Sequence, residues 1–420
     1  MQKNIKKTEK KSLVQFYQEE KYSKRVDAFW KAFRENAALI IPAFHQKNDF
    51  KPHQFLDRIL RKVHPDLDYY FIPRSIRSMD LVISITSRVD LYPLVDLMWK
   101  KCRTIGRSWG FCFQRPRYDY ELIKLLVEVR TKGNLDEYMF SGSLDHLNRI
   151  NILFIHKDAT TIENKYKAID ELSEGISFLI GERKQRAWVG SLDIISQIPG
   201  DEKVYPIRAL PKFIDEKVEE ARKRLPKEPY ATIDGMGEWV GIDFEPPEDC
   251  DYTGRSDMVT MCTMLPQIIE SYHNGHSFYS ERFSNFNETF CYLKMERWRQ
   301  NDEMENEEYK IKLIEELNMG LRKNKMGMVI GAGTGLKYAY IDFVISNIPR
   351  GGRIIQSKLR KFKITKNAWI MFFDSSMEAK WINVYDDTPP PVLPDFENRG
   401  FFGVEKKLNK LLEKKVNKKK

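Results

Sequence analysis

Residues 328–345, MVIGAGTGLKYAYIDFVI, place a run of glycines between two apolar segments. The first segment is Met328 to Ile330, the second is Tyr338 to Ile345, and both read as β-strands. The glycines between them are Gly331, Gly333 and Gly335. Because glycine adopts positive φ readily, this composition predicts a flexible hairpin loop, which is also a candidate contact with a ligand or partner.

The elements on either side of this hairpin extend the pattern. Thr289 to Met295 is predicted as a strand, and Glu305 to Lys323 as a helix with a leucine-rich side. A helix over Arg353 to Phe362 and a strand over Ala368 to Phe373 follow the hairpin. The resulting order is βαββαβ, which is the ferredoxin-like or split βαβ arrangement.

The amino-terminal half mixes helices and strands. Residues 13–62 have apolar residues at helical spacing, and Ile150 to Ile155 reads as a strand covered on both faces. Further strands are expected over residues 69–72, 81–85, 109–113 and 188–195, with helices over residues 92–104 and 120–130. This half is therefore predicted to be a mixed α/β domain with a helical amino-terminal segment.

A chain of 420 residues is too long for one typical core, so we predict two domains of the α+β class. The predicted segments are a basic arm over residues 1–12, an amino-terminal domain over 13–198, a Pro-rich connection over 199–255, a ferredoxin-like domain over 256–385, and a Pro-rich exit with a basic tail over 386–420.

The net charge of +10 is concentrated in the two ends of the chain. Residues 1–11 carry five Lys and one Glu, and residues 405–420 carry eight Lys and two Glu, which leaves the body formally neutral. A neutral body lacks the broad positive field of a dedicated duplex binder, although a local basic patch stays open. The tails are either solvated termini or electrostatic tethers to nucleic acid or acidic lipid.

The chain shows no apolar run near the roughly 20 residues that span a bilayer, and its lysine-rich start is unlike a secretory signal. Its five cysteines are scattered and odd in number, as expected for reduced thiols. Together these features predict a cytoplasmic protein without a membrane span.

Three motifs fail when their surroundings are considered. Gly106-Arg107-Ser108-Trp109-Gly110 matches the nucleophile elbow, but a helix is predicted before it and a strand after it, the reverse of what the elbow needs. The glycine run joins two strands and lacks the helix that a phosphate loop requires. The pair His273 and His276 is interrupted by Gly275. We therefore predict no catalytic residue, metal ligand or cofactor.

One strand carries a distinctive face. Because side chains alternate along a strand, Ala339 to Ile345 at every second position should pack under the helices, while Tyr338, Tyr340 and Asp342 point the other way. Tyr292 on the first strand could join them. This second face of the sheet is open unless something covers it, so it is a candidate binding face.

The segment Tyr338-Ala339-Tyr340-Ile341-Asp342-Phe343 resembles the third-strand motif of the RNA recognition motif, although Leu336-Lys337 departs from its first two positions. The resemblance implies bases stacked on the tyrosines. The amino-terminal half, with Asp80-Leu81-Val82-Ile83-Ser84, Trp109-Gly110-Phe111 and Arg115-Pro116-Arg117, is similar to uncharacterised bacterial proteins, which implies a bacterial origin.

Three functions follow as hypotheses. The first is a non-catalytic interaction or regulatory protein, of the immunity or inhibitor kind, that binds a protein partner. The second is a single-stranded RNA-binding protein that uses Tyr292, Tyr338 and Tyr340. The third is an enzyme whose site is built from scattered residues, with a cleft and perturbed carboxylates such as Asp342. The partner and the oligomeric state stay open.

Overall fold

The structure is a computed structural model that describes residues 13–396, except for residues 46–49, 86–87, 103–105, 198–199, 201, 234–236, 249–251 and 298–302. The predicted basic arm and the basic part of the predicted tail lie outside the described residues. None of the described helices is long and apolar enough to cross a membrane.

The α-helices of the described residues are α1 Glu19–His45, α2 Pro52–Val63, α3 Tyr92–Lys101, α4 Tyr120–Thr131, α5 Ile162–Ile180, α6 Glu182–Trp188, α7 Leu210–Arg224, α8 Pro266–His273, α9 Glu303–Lys323 and α10 Ile348–Lys361. The strands are β1 Gln15–Phe16, β2 Asp68–Ser75, β3 Ser78–Ser84, β4 Trp109–Phe113, β5 Met139–Leu144, β6 Ile150–Ile155, β7 Val189–Ile195, β8 Tyr205–Pro206, β9 Val240–Asp243, β10 Met258–Thr263, β11 Thr289–Glu296, β12 Gly327–Gly335, β13 Tyr338–Ile345, β14 Ala368–Phe372 and β15 Lys380–Asn383. This mixture of helices and sheets is of the α+β class, as predicted.

The described chain divides into two compact units. The carboxy-terminal unit contains residues 13–19, Glu228–Pro266 and Phe286–Pro394. The amino-terminal unit contains Glu20–Lys227, Gln267–Asn285 and residues 395–396.

The carboxy-terminal unit is built on one antiparallel sheet with the order β1-β15-β14-β11-β13-β12-β10-β9. Along the chain, β11, α9, β12, β13, α10 and β14 follow one another in the βαββαβ order that the sequence predicted. Asn347 caps α10 by accepting a hydrogen bond from the N–H of Arg350. Leu317 of α9 and Leu359 of α10 are buried in one core with Ile341 of β13, so both helices cover the same face of the sheet.

The amino-terminal unit contains two smaller sheets. The order of the first is β2-β3-β4, and the order of the second is β7-β6-β5-β8. The second sheet shares a core with α4, α5 and α7, in which Phe140, Phe154, Phe178 and Ile214 are almost fully buried. Large apolar side chains at alternate positions of β6 and on one side of each helix account for this packing.

Two features differ from the predictions. The sequence 199–255, interpreted as a connection, contributes α7 and β8 to the amino-terminal unit and β9 to the carboxy-terminal sheet. Strands β1, β5, β8, β9, β10 and β15 were not predicted, because they are short or because small, polar and acidic residues interrupt their apolar pattern.

Candidate functional site

Tyr292, Tyr338, Tyr340 and Asp342 share one face of the large sheet, as the alternation predicted. The register pairs Tyr292 with Asp342, while the alternate residues from Ala339 to Ile345 belong to the core under the helices. The four side chains are buried, however, with exposed fractions of 4% for Tyr292, 3% for Tyr338, 0% for Tyr340 and 1% for Asp342. The interpretation of this face as an open binding surface is therefore wrong.

Arg255, which precedes β10, fills the centre of this face. Its guanidinium carbon lies 5.2 Å from the ring centre of Tyr292, 5.1 Å from that of Tyr340 and 5.3 Å from that of Phe373. Its Nη1 donates to Oδ1 of Asp342 at 2.5 Å, and both side chains are almost fully buried. An arginine held between aromatic rings and paired with a carboxylate satisfies its charge inside the protein.

Asp257 fixes the turn between β12 and β13. Its carboxylate accepts hydrogen bonds from the N–H groups of Lys337 at 2.9 Å and Tyr338 at 2.8 Å, and from the hydroxyl of Tyr340. Burial, followed by the negative charge of Asp257, raises the pKa of the Tyr340 hydroxyl. Residues 252–258 therefore cover the tyrosines with two charged side chains, Arg255 and Asp257, that both bond to β13.

The hypothesis of base stacking requires exposed rings. A stacked base contacts the face of an aromatic ring, and the faces of Tyr292 and Tyr340 are occupied by Arg255. Burial also raises the pKa of Asp342, and the nearby positive charge of Arg255 opposes this shift. This perturbed carboxylate belongs to a packed cluster, so the predicted binding face works as part of the core.

The glycine run lies in strand β12 instead of a loop. Gly331 is opposite Asp342 and Gly333 is opposite Tyr340, so these glycines share the face of the tyrosine cluster. A Cβ atom at Gly335 would lie 2.4 Å from Oδ2 and 2.7 Å from the backbone oxygen of Asp257. The prediction of a flexible glycine loop is therefore wrong, because the glycines make room for the segment that covers the face.

Replacing Gly335 by Ala is expected to destabilise the carboxy-terminal unit by about 2–3 kcal/mol, because the added methyl group would overlap the backbone of Asp257. Hydrogen exchange of the β12 and β13 amides, followed by mass spectrometry in increasing urea, measures this loss. Gly241→Ala is the matched control, since Gly241 is also a strand glycine and its added Cβ would have nothing within 4 Å. Equal protection of these amides from exchange in the two variants would contradict the close contact between Gly335 and Asp257.

Strand β9 forms one edge of the large sheet, in a sequence that was predicted to be partly loop. It pairs with β10, and no further strand lies beyond it in the described residues. The N–H of Phe244 donates to the carbonyl of Val259 at 2.8 Å. Because antiparallel pairing alternates, Ile242 also bonds towards β10, and the N–H and C=O groups of Gly241 and Asp243 point outward from the sheet.

The edge strand and its flanks are acidic and partly apolar. Residues 237–248 carry four acidic residues and no lysine or arginine; the acids are Glu238, Asp243, Glu245 and Glu248. Trp239 is 37% exposed and Val240 is 40% exposed. The edge therefore presents outward backbone groups, apolar side chains and negative charge together. No apolar alternation in this stretch was strong enough to predict the strand.

A group of possible metal ligands lies at one end of the second sheet in the amino-terminal unit. Ligand atoms of Glu137, His156 and Asp158 all lie within 4.8 Å of one another. Nδ1 of His156 accepts a hydrogen bond from the N–H of Asp158 at 3.3 Å, and Lys157 lies 3.4 Å from the Glu137 carboxylate. These contacts already use the imidazole lone pair and offset the carboxylate charge, so the group does not carry a metal proposal.

Comparison of the chain with protein-family models, with curated proteins and with solved structures finds no match in any of the three. Its function must therefore be inferred from the geometry of its own residues.

Proposed function

We propose that this chain is a non-catalytic interaction protein that binds an extended, basic segment of a partner protein at the β9 edge. The observation that carries the proposal is the outward backbone of Gly241 and Asp243 at a strand with no neighbour among the described residues. A peptide can add a strand to such an edge through main-chain hydrogen bonds. A regulatory or inhibitory role, as the sequence suggested, requires no more than such binding.

The charge of the edge identifies the kind of partner. Four acidic residues and no basic ones between residues 237 and 248 favour lysine- or arginine-rich segments. The same charges oppose pairing of this edge with a second copy of itself, because two acidic strands would then lie side by side. Exposed Trp239 and Val240 add apolar surface for the side chains of the partner.

We also infer that β11, α9, β12, β13, α10 and β14 form a ferredoxin-like module. Their spatial order, β14-β11-β13-β12, with every neighbouring pair antiparallel, supports this inference. We further propose that the protein works in the reducing environment of the cytoplasm. The free thiols of Cys102, Cys112, Cys262 and Cys291 support this location.

A ten-residue peptide of alternating lysine and valine, labelled for fluorescence anisotropy, is expected to bind the full chain. A matched peptide of alternating glutamate and valine is expected to bind at least roughly tenfold more weakly, because its charges repel the acidic edge. Gly241→Pro removes the outward N–H group and should weaken binding of the lysine peptide by a similar factor.

Gly241→Ala keeps this N–H group, so it is the matched control and should bind like the wild type. Circular dichroism and thermal unfolding establish that the proline variant remains folded. Equal binding of the two peptides, or equal binding by the alanine and proline variants, would refute the proposal.

A further inference from the structure

A pocket of about 460 Å³ lies beside strand β5 in the amino-terminal unit. Its volume falls within the roughly 300–1,000 Å³ of small-molecule sites. Its walls combine backbone, hydroxyl, carboxylate and ammonium groups with two aromatic rings. This pocket shares no lining residue with the β9 edge, so its ligand is a question independent of the function proposed above.

The backbone of Gly142 is one wall of the pocket. Strand β8 pairs only with Met139 and Phe140 of β5, and the carbonyl of Tyr138 accepts a hydrogen bond from Ile207. The alternation of antiparallel pairing then directs the N–H and C=O groups of Gly142 to the same side, past the end of β8. These groups meet no further strand in the described part of the chain, which leaves them for a ligand.

Two lysines on an aromatic pair form the positive part of the pocket. The rings of Tyr205 and Phe213 have their centres 5.4 Å apart. Nζ of Lys203 lies 5.2 Å from the Tyr205 ring centre, and Nζ of Lys217 lies 5.7 Å from the Phe213 ring centre. Lys203 makes no ion pair within the described residues, whereas Lys217 contacts Glu220 at 2.8 Å. Two ammonium groups near an outward backbone N–H suit a carboxylate.

Carboxylates form the negative part of the pocket. Oε2 of Glu202 accepts a hydrogen bond from the hydroxyl of Ser141 at 2.9 Å, which orients this exposed side chain. Asp193 lies in the same row of the sheet as Ser141, because each of them pairs with Leu153. The lining thus carries two positive and two negative side chains, which favours a ligand that has both signs of charge over a simple anion.

We propose that this pocket binds an amino acid or short peptide in its zwitterionic form. The α-carboxylate contacts the N–H of Gly142 and the ammonium groups of Lys203 and Lys217. The amino group contacts the carboxylate of Glu202, which Ser141 holds in place. Free amino acids and short peptides share this chemistry, and ligands of different length distinguish them.

Isothermal titration of the full chain with alanine, with the dipeptide Ala-Ala, with Ala-Ala amide and with N-acetyl-Ala-Ala tests the proposal. Alanine or Ala-Ala should bind, and the tighter of the two identifies the natural length. The amide and the acetylated dipeptide should each bind roughly tenfold more weakly or worse, the scale expected for losing a charge-assisted contact.

Lys203→Gln and Glu202→Gln should each weaken the better ligand by roughly tenfold. Lys212→Gln is the matched control, because Lys212 is an exposed lysine of α7 that does not line the pocket. Its affinity should equal that of the wild type. Thermal unfolding confirms that each variant is folded. The proposal would be overturned if neither alanine nor Ala-Ala binds, or if Ala-Ala binds and its amide binds equally well.

Discussion

Asn in place of Asp342 is expected to destabilise the carboxy-terminal unit by about 3–5 kcal/mol, because it leaves the guanidinium of Arg255 buried without its counter-charge. The change keeps the size and shape of the side chain, so the loss of stability measures the effect of removing the negative charge. Urea unfolding followed by hydrogen exchange of the β11 and β13 amides measures the effect in this unit alone.

Two controls make the result specific. Asp386→Asn also removes a carboxylate that is paired with an arginine, but Asp386 is fully exposed, so solvent screens the pair and its loss should cost far less than the loss of Asp342. In a background of Arg255→Met, the Asp342→Asn change should cost far less than in the wild type, since no buried cation remains. Equal costs in the two backgrounds would contradict the assignment of this pair.

The stability of the carboxy-terminal unit should rise with pH above about 8 because of Lys294. Burial lowers the pKa of Lys294 to about 8 from 10.5, although its Nζ donates to the carbonyl of Tyr252 at 2.6 Å and lies 4.1 Å from the Tyr338 ring centre. Between these pKa values the unfolded chain binds a proton that the folded chain has released. The free-energy penalty for burying the charged form of Lys294 is complete below pH 8 and disappears as the pH passes 10.5.

Lys294→Met removes this titration. The wild type should gain about 3 kcal/mol of stability through this titration between pH 7.5 and pH 10.5, and the variant should not. The free energy of unfolding of the variant minus that of the wild type should therefore fall by about 3 kcal/mol over this range. Lys312→Met, at an exposed lysine of α9, is the control and should show no such change. A stability difference between Lys294→Met and wild type that does not depend on pH would show that Lys294 is not buried in this way.

Sequence periodicity predicted several strands well, although it missed β5 and β10 inside their sheets. The predicted bounds of β4, β6 and β13 agree with those observed, and the order of β11, α9, β12, β13, α10 and β14 was also found. These elements have strong apolar patterns because they lie against helices or in the middle of a sheet. Weakly patterned strands at sheet edges, such as β8 and β9, gave no such signal.

The covering of the tyrosine face could not be predicted from local pattern. Arg255 and Asp342 are 87 positions apart, and only the folded chain brings them together. The glycines did carry a usable signal, because Gly331, Gly333 and Gly335 are spaced by two residues and therefore lie on one side of a strand. Their spacing fits a close approach of another segment better than a turn.

The pocket beside β5 was missed for a related reason. Its strand contains Ser141-Gly142-Ser143, a composition that favours turns, and its lysines come from a short edge segment and a helix far along the chain. Each residue is ordinary by itself. Their chemistry depends on β8, which is so short that the side of Gly142 facing away from β6 meets no strand in the described residues.

The pairing of β1 with β15 affects the order in which the carboxy-terminal unit is completed. Gln15 pairs with Trp381, and Phe16 pairs with Lys380, so this edge joins residues more than three hundred positions apart. During synthesis β1 must wait, unpaired, until β15 has emerged, and closing so long a loop is slow. This edge of the sheet is therefore completed by a strand that left the ribosome long before its partner.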